Sequence, residues 1–112
     1  MGAKFILTQN EEGTFAFSFQ MLDGRVILSG QGCADKETAI NRINAVRHLV
    51  SREQNFEVVT AEDGQAHLVL RNRHKEVIGQ SEVYPDAESL PWVIALARGN
   101  VRGAQVEDLT GE

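Results

Sequence analysis

The chain has one cysteine, Cys33, among its 112 residues. A single thiol excludes an intramolecular disulfide and a cysteine-based zinc site, and it suits a reducing, cytoplasmic setting. Long apolar runs are absent as well. The most apolar stretch, Trp92 to Ala97 with Leu90 close by, falls far short of the roughly 20 residues a membrane helix needs. The opening MGAKFILTQ carries one lysine and a short apolar run, too little for the core of a secretory signal. Ile6 stands where a myristoylation signal needs Ser or Thr. Positive charge is not in excess either: the net charge of −5 works against broad attraction to nucleic acid or anionic membranes.

The usual catalytic and cofactor signatures are missing too. His48, His67 and His74 have no metal-ligand spacing such as H-E-x-x-H, and no phosphate-binding glycine loop opens a helix. There is no G-x-S-x-G nucleophile elbow. No metal and no cofactor are therefore expected.

What is present is a packable composition, 42% hydrophobic and 24% charged, enough for a core and a soluble surface in one domain. It is also written twice. An offset of 51 residues aligns Phe5 with Phe56, Glu11 with Glu62, Gly13 with Gly64, Val26 with Val77 and Ile27 with Ile78. It also aligns Asp35 with Asp86, Glu37 with Glu88, Ile43 with Ile94 and Arg47 with Arg98. Turn residues, alternating strands and helix caps all fall in register, the signature of a repeat.

Each copy reads as strand, strand, strand, helix. KFILTQ is followed by Glu11-Glu12-Gly13, where glycine supplies the positive φ of a short hairpin. TFAFSFQ then puts Phe15, Phe17 and Phe19 on one face, and Asp23-Gly24 turns the chain into RVILSG. The second copy offers FEVVTA, a turn at Glu62-Asp63-Gly64, AHLVLRN, a turn near His74, and EVIGQSEV. Ala66, Leu68 and Leu70 stand where the phenylalanines stood.

Both helices begin at an aspartate, with Asp35 and Asp86 as N-caps and Glu37 and Glu88 in the first turn. Gly99 suits a helix end, so the second helix is predicted over Ala87 to Arg98; Pro91 is then late, about one turn in. AQVEDLT reads as a strand that pairs where a third copy would continue, blunting an edge. The predicted fold is α+β: a duplicated βββα repeat, with antiparallel sheet units, two helices packed on their inner faces and a C-terminal closing strand. Residues 1–112 form one domain, with repeat one at 4–50, repeat two at 55–99 and the closing strand at 104–110.

This layout resembles the YegP-like family, small bacterial proteins of unknown function built from strand-strand-strand-helix repeats. The resemblance is carried by Asp23-Gly24, Val26-Ile27, Val77-Ile78, Ser81-Glu82-Val83-Tyr84 and the terminal Val106-Glu107-Asp108-Leu109-Thr110. Two departures stand out: Gly30-Gln31-Gly32-Cys33 replaces Ser-Glu-x-Tyr in the first copy, and His74-Lys75 replaces Asn-Gly in the second. The resemblance implies the fold and brings no catalytic residues with it.

Three candidate sites remain. Helix one turns Ala39, Ile43, Val46 and Val50 inward and Asn41, Asn44 and His48 outward, an ordinary amphipathic pattern. Helix two turns Leu90, Ile94 and Ala97 inward, but Trp92 and Leu96 fall on the opposite side, with Trp92 at the position of Asn41. They pack against the other repeat or the closing strand, or they form a patch that binds a second copy or another protein. The leading expectation is a non-catalytic cytoplasmic binding or accessory module, acting through that interface. The alternative is a thiol-dependent enzyme using Cys33, a thiol near a helix N-terminus, set against a core cysteine filling the place of Tyr84. Third comes a local nucleic-acid contact through Arg71, Arg73 and Lys75, the one compact basic cluster along the chain, weighed against a solvated turn.

Overall fold

A computed structural model describes residues 2–111. Seven strands and two α-helices follow in chain order: β1 (Ala3–Gln9), β2 (Phe15–Met21), β3 (Val26–Cys33), α1 (Lys36–Leu49), β4 (Phe56–Thr60), β5 (Ala66–Arg71), β6 (Val77–Gln80), α2 (Leu90–Asn100) and β7 (Gln105–Asp108). The strands form one sheet in the order β4-β5-β6-β3-β2-β1-β7. The fold is therefore α+β, as expected, but the two predicted sheet units are merged. Antiparallel β3 and β6 join them, with Ser29 opposite Gln80.

Alternation on the strands decides which face is covered. Phe15, Phe17, Phe19 and Met21 of β2 are buried, while Ala16, Ser18 and Gln20 between them are only partly so. The buried set forms one cluster with Phe5, Leu7, Leu68 and Leu70 from the sheet, Ala39, Ile43 and Val46 from α1, and Leu90, Val93, Ile94 and Ala97 from α2. Both helices thus share one apolar face of the sheet, leaving the other to solvent, as antiparallel sheets allow.

Pairing registers recur at the 51-residue offset. Phe5 faces Phe19, Leu7 faces Phe17 and Gln9 faces Phe15; Phe56 faces Leu70, Val58 faces Leu68 and Thr60 faces Ala66. Phe15 also faces Cys33, and Ala66 bridges Tyr84. The β2–β3 and β5–β6 hairpins close in the same way: the Gly24 N–H donates to the Met21 carbonyl at 2.9 Å, and the Lys75 N–H to that of Asn72 at 3.0 Å.

Gly24 takes φ +94° there, whereas Lys75 is forced to +67°, a left-handed backbone with a Cβ. That conformation costs about 1–2 kcal/mol in an L-residue, and glycine gives back part of it through a freer unfolded chain. Lys75→Gly is expected to stabilise the fold by about 0.5 kcal/mol or more, read as a rise in the urea midpoint at unchanged slope.

Three elements differ from expectation. The segment predicted as the start of helix two is a 3-10 turn, Ala87–Ser89; the Asp86 carboxylate accepts from the Ser89 N–H, and the α-helix starts at Leu90. Pro91 is thereby in the first α-helical turn, where its missing N–H costs nothing. Gly99 lies inside α2 rather than ending it; the left-handed glycine is Gly103, at φ +83°. β6 stops at Gln80 because the Ser81 hydroxyl oxygen, rather than a strand carbonyl, accepts the Leu68 N–H at 2.8 Å.

The first helix is capped as expected, the Asp35 carboxylate accepting from the Thr38 N–H at 2.7 Å. Hydrogen bonding from the Thr38 side chain, joined by this backbone bond, holds the Asp35 pKa below its ordinary value. The closing strand β7 runs parallel to β1 and is pinned by ion pairs from Lys4 to Glu107 and Lys36 to Asp108. Hydrogen bonds from Lys36 and Thr110, reinforced by the Lys36 charge, hold the Asp108 carboxyl down at about 2. β7 thus covers β1 and becomes one edge of the sheet itself, exposed along its length. The opposite edge, β4, is open, with Val58 and Val59 exposed.

Candidate functional site

Trp92 is the third residue of α2 and stands 52% exposed. The capped turn at Asp86 and the buried anchor Leu90 fix where the helix begins, and a residue two places beyond Leu90 is turned away from the core. Its ring is met by Arg25, whose guanidinium carbon lies 5.2 Å from the ring centroid. Arg25 is itself held by the β2–β3 turn. The Asp23 carboxylate accepts from the Arg25 N–H at 3.0 Å and pairs with its guanidinium at 3.7 Å.

Tyr84 feels the same arginine. Its backbone exchanges two hydrogen bonds with Ala66, of 2.7 and 3.0 Å, which places the half-buried side chain beside the core. Burial pushes the phenol pKa up, the Glu82 charge adds to this, and the Arg25 charge opposes it. Arg25 therefore acts on both aromatic residues, and Asp23 and Glu82 supply the acidic surroundings. Next to Tyr84, Val83 is 60% exposed. Leu96, one turn after Trp92, is half-buried against the core instead, and its carbonyl accepts from the Asn100 side chain.

Arg25 carries no signal of this role in the sequence, and Tyr84 stands out there only as the counterpart of Cys33, because both lie on segments remote from Trp92. Each looks locally ordinary, one following a turn and the other preceding a helix cap. Only the sheet order, which no local pattern encodes, brings Arg25 to Trp92 of α2.

Cys33 ends β3 and is 2% exposed. Burial pushes its thiol pKa up; Arg42 opposes the shift and Asp35 adds to it. A neutral, enclosed thiol behaves as a small apolar plug rather than a nucleophile. It faces Phe15, the place that Tyr84 takes opposite Ala66.

In the basic turn, Arg71 is already engaged. Its Nε donates to Glu57 at 2.9 Å and its Nη1 to the Lys75 carbonyl at 2.8 Å. The Asn72 side chain ties down the loop by accepting from the His74 and Glu76 N–H groups. Arg73 and Lys75 remain exposed, so two cations rather than three are offered to a phosphate backbone. Among the described residues no group of His, Cys, Asp and Glu is arranged to hold a metal ion, and no helix is long and apolar enough to cross a membrane.

No protein-family model matches the chain. Among curated proteins, the UPF0339 protein PA0329 of Pseudomonas aeruginosa is 36% identical over 84 residues, covering 75% of this chain and 76% of that protein. The UPF0339 protein YegP of Escherichia coli is 28% identical over 110 residues, covering 98% and 100%. The solution NMR structure of E. coli yegP, titled a protein of unknown function, matches with a TM-score of 0.91 over 100% of this chain and 97% of that one. The NMR structure of the UPF0339 protein SO3888 of Shewanella oneidensis, at 23% identity, shares the fold with the same TM-score.

Proposed function

The chain belongs to the UPF0339 family, that of PA0329 and YegP, and on that footing we propose that it is a non-catalytic, cytoplasmic accessory module that binds another protein. It is built by tandem duplication of one βββα unit, residues 4–50 and 55–99, with 104–110 closing the sheet. Support for the duplication comes from the strand pairs that recur at a 51-residue offset and from the junction, where Ser29 meets its own counterpart Gln80. Antiparallel pairing of equivalent residues is the geometry of a two-fold interface, here contained in one chain.

The binding reading rests on one observation: Trp92 of α2 and Arg25 of the β2–β3 turn stack at the surface, 5.2 Å apart, with Tyr84 within reach of the Arg25 charge. These are the residue types that dominate the energetics of protein interfaces, and a half-exposed tryptophan with an acidic rim suits an anchor that a partner covers. Nothing comparable surrounds Cys33, whose thiol is enclosed.

If Trp92 serves binding, it contributes little to folding. Trp92→Glu is expected to change stability by no more than about 1 kcal/mol, the size of an exposed cation–π contact. Denaturant unfolding checks this, together with sedimentation mass: a fall in mass in the variant identifies the partner as a second copy, and an unchanged 12.4 kDa species excludes self-association through Trp92. A loss above about 2 kcal/mol would make Trp92 structural and sink the proposal.

A further inference from the structure

The helices separate charge in a way the chain as a whole does not. Residues 38–52 hold Arg42, Arg47 and Arg52, and residues 89–106 hold Arg98 and Arg102; neither stretch contains an aspartate or glutamate, although the protein carries a net −5. The C-terminal ends of α1 and α2 converge on one cleft of about 910 Å³, lined by Arg47, His48, Ser51, Arg98 and Arg102 together with the backbone around Gly99 and Gly103. That is within the roughly 300–1,000 Å³ typical of small-ligand sites. Arg47 and Arg98 are a 51-residue pair, so the same residue enters the cleft from each helix.

The cations are not spent on one another's neighbours. Ion pairs among the described residues engage Lys4, Arg25, Lys36 and Arg71, and none reaches this cleft. Arg47 is oriented by the protein: its guanidinium carbon lies 4.8 Å from the Phe5 ring centroid, and its Nη1 donates to the Val101 carbonyl at 3.5 Å. Its other N–H groups are left for a ligand. The helix dipoles account for a basic residue in each last turn but not for Arg102, which lies beyond the end of α2. The roughly half negative charge at each helix end also falls well below three guanidinium charges.

We infer that this cleft is a binding site for a small ligand bearing a phosphate or polyphosphate group. Guanidinium forks match phosphate oxygens in pairs, and several of them without a competing carboxylate suit a ligand with more than one negative charge. A nucleic-acid strand fits less well, because no Phe, Tyr or Trp lines the cleft to form a base-stacking platform and the protein's overall charge repels an extended polyanion.

Isothermal titration with sodium tripolyphosphate, at ionic strength held constant with sodium chloride, tests this. Saturable one-to-one binding is expected. It should weaken at least tenfold when Arg98→Gln and Arg102→Gln are combined and stay unchanged when Arg73→Gln and Lys75→Gln are combined. Absence of saturable binding to the wild type, or equal loss in both double variants, would overturn the inference. So would a single-stranded oligonucleotide that displaces tripolyphosphate more tightly with each added nucleotide, which would assign the cleft to nucleic acid. The Trp92 surface is untouched by either double variant, so this result stands apart from that proposal.

Discussion

Gly30→Ala is expected to destabilise the protein by about 1–3 kcal/mol, the range for forcing an extra methyl group into a packed core. Gly30 sits opposite Phe17 in the β2–β3 ladder, beside the junction of β3 with β6. A Cβ placed on it would lie 2.5 Å from the Phe17 Cε1, 2.8 Å from Cζ and 2.9 Å from the Ile78 carbonyl oxygen. The ring is 2% exposed and enclosed by the core cluster, so it has no free volume to move into. The carbonyl belongs to the neighbouring strand and moves only if β6 does. Chemical denaturation should show a lower midpoint with an unchanged slope. A midpoint equal to that of the wild type would mean that β3 and β6 do not approach as described.

Phe19→Ala should cost more, about 3–5 kcal/mol, from the lost transfer energy of the ring and the cavity it leaves. Phe19 is fully buried and stacks on Phe5 with ring centroids 4.7 Å apart, and Phe5 in turn carries the Arg47 guanidinium. Against a typical total of about 5–15 kcal/mol, such a loss lowers the melting temperature by about 10–20 °C for a chain of this size. Phe5→Ala and Phe19→Ala combined should cost less than the sum of the two, since each single change already breaks the stack. Additive losses would show that the stack contributes nothing of its own.

The local grammar of the fold was legible in the sequence. Alternation placed Phe15, Phe17 and Phe19 on the core face, Asp35 read correctly as a cap, and Asp23-Gly24 marked its turn, because each depends on a few neighbouring residues. The misreadings arose where two local signals competed. Asp86 does cap a helical turn, but Pro91 five residues on is compatible only with a fresh first turn, so a 3-10 segment intervenes before α2. Gly99 looked like a helix end, yet open space surrounds it and nothing forces φ positive, so α2 runs on to Asn100.

Contacts between distant segments were not legible. That β3 pairs with β6 and β7 with β1 is settled by which faces must be buried together, a property of the whole chain. The Trp92 surface was half visible: the tryptophan's misplacement on an amphipathic helix showed, but its contact with Arg25 did not. The arginine cleft was invisible as a cluster, since its arginines are 51 or more residues apart between the helices, although the matched pair Arg47 and Arg98 was in plain view among the repeated residues. Along the chain the turn at 71–75 looked the more basic, yet one of its arginines is already neutralised by Glu57.

The proposal that Trp92 and Arg25 form a protein-binding surface is tested most directly by affinity capture from native cell extract. The baits are the wild type, Trp92→Glu, Arg25→Glu and, as a control away from this surface, Glu12→Lys in the β1–β2 turn, all confirmed to be folded. Quantified by mass spectrometry, a defined partner should be retained by the wild type and the control and reduced at least tenfold on both surface variants. Retention of the same proteins in the same amounts by Trp92→Glu, or no protein enriched by the wild type, would contradict it.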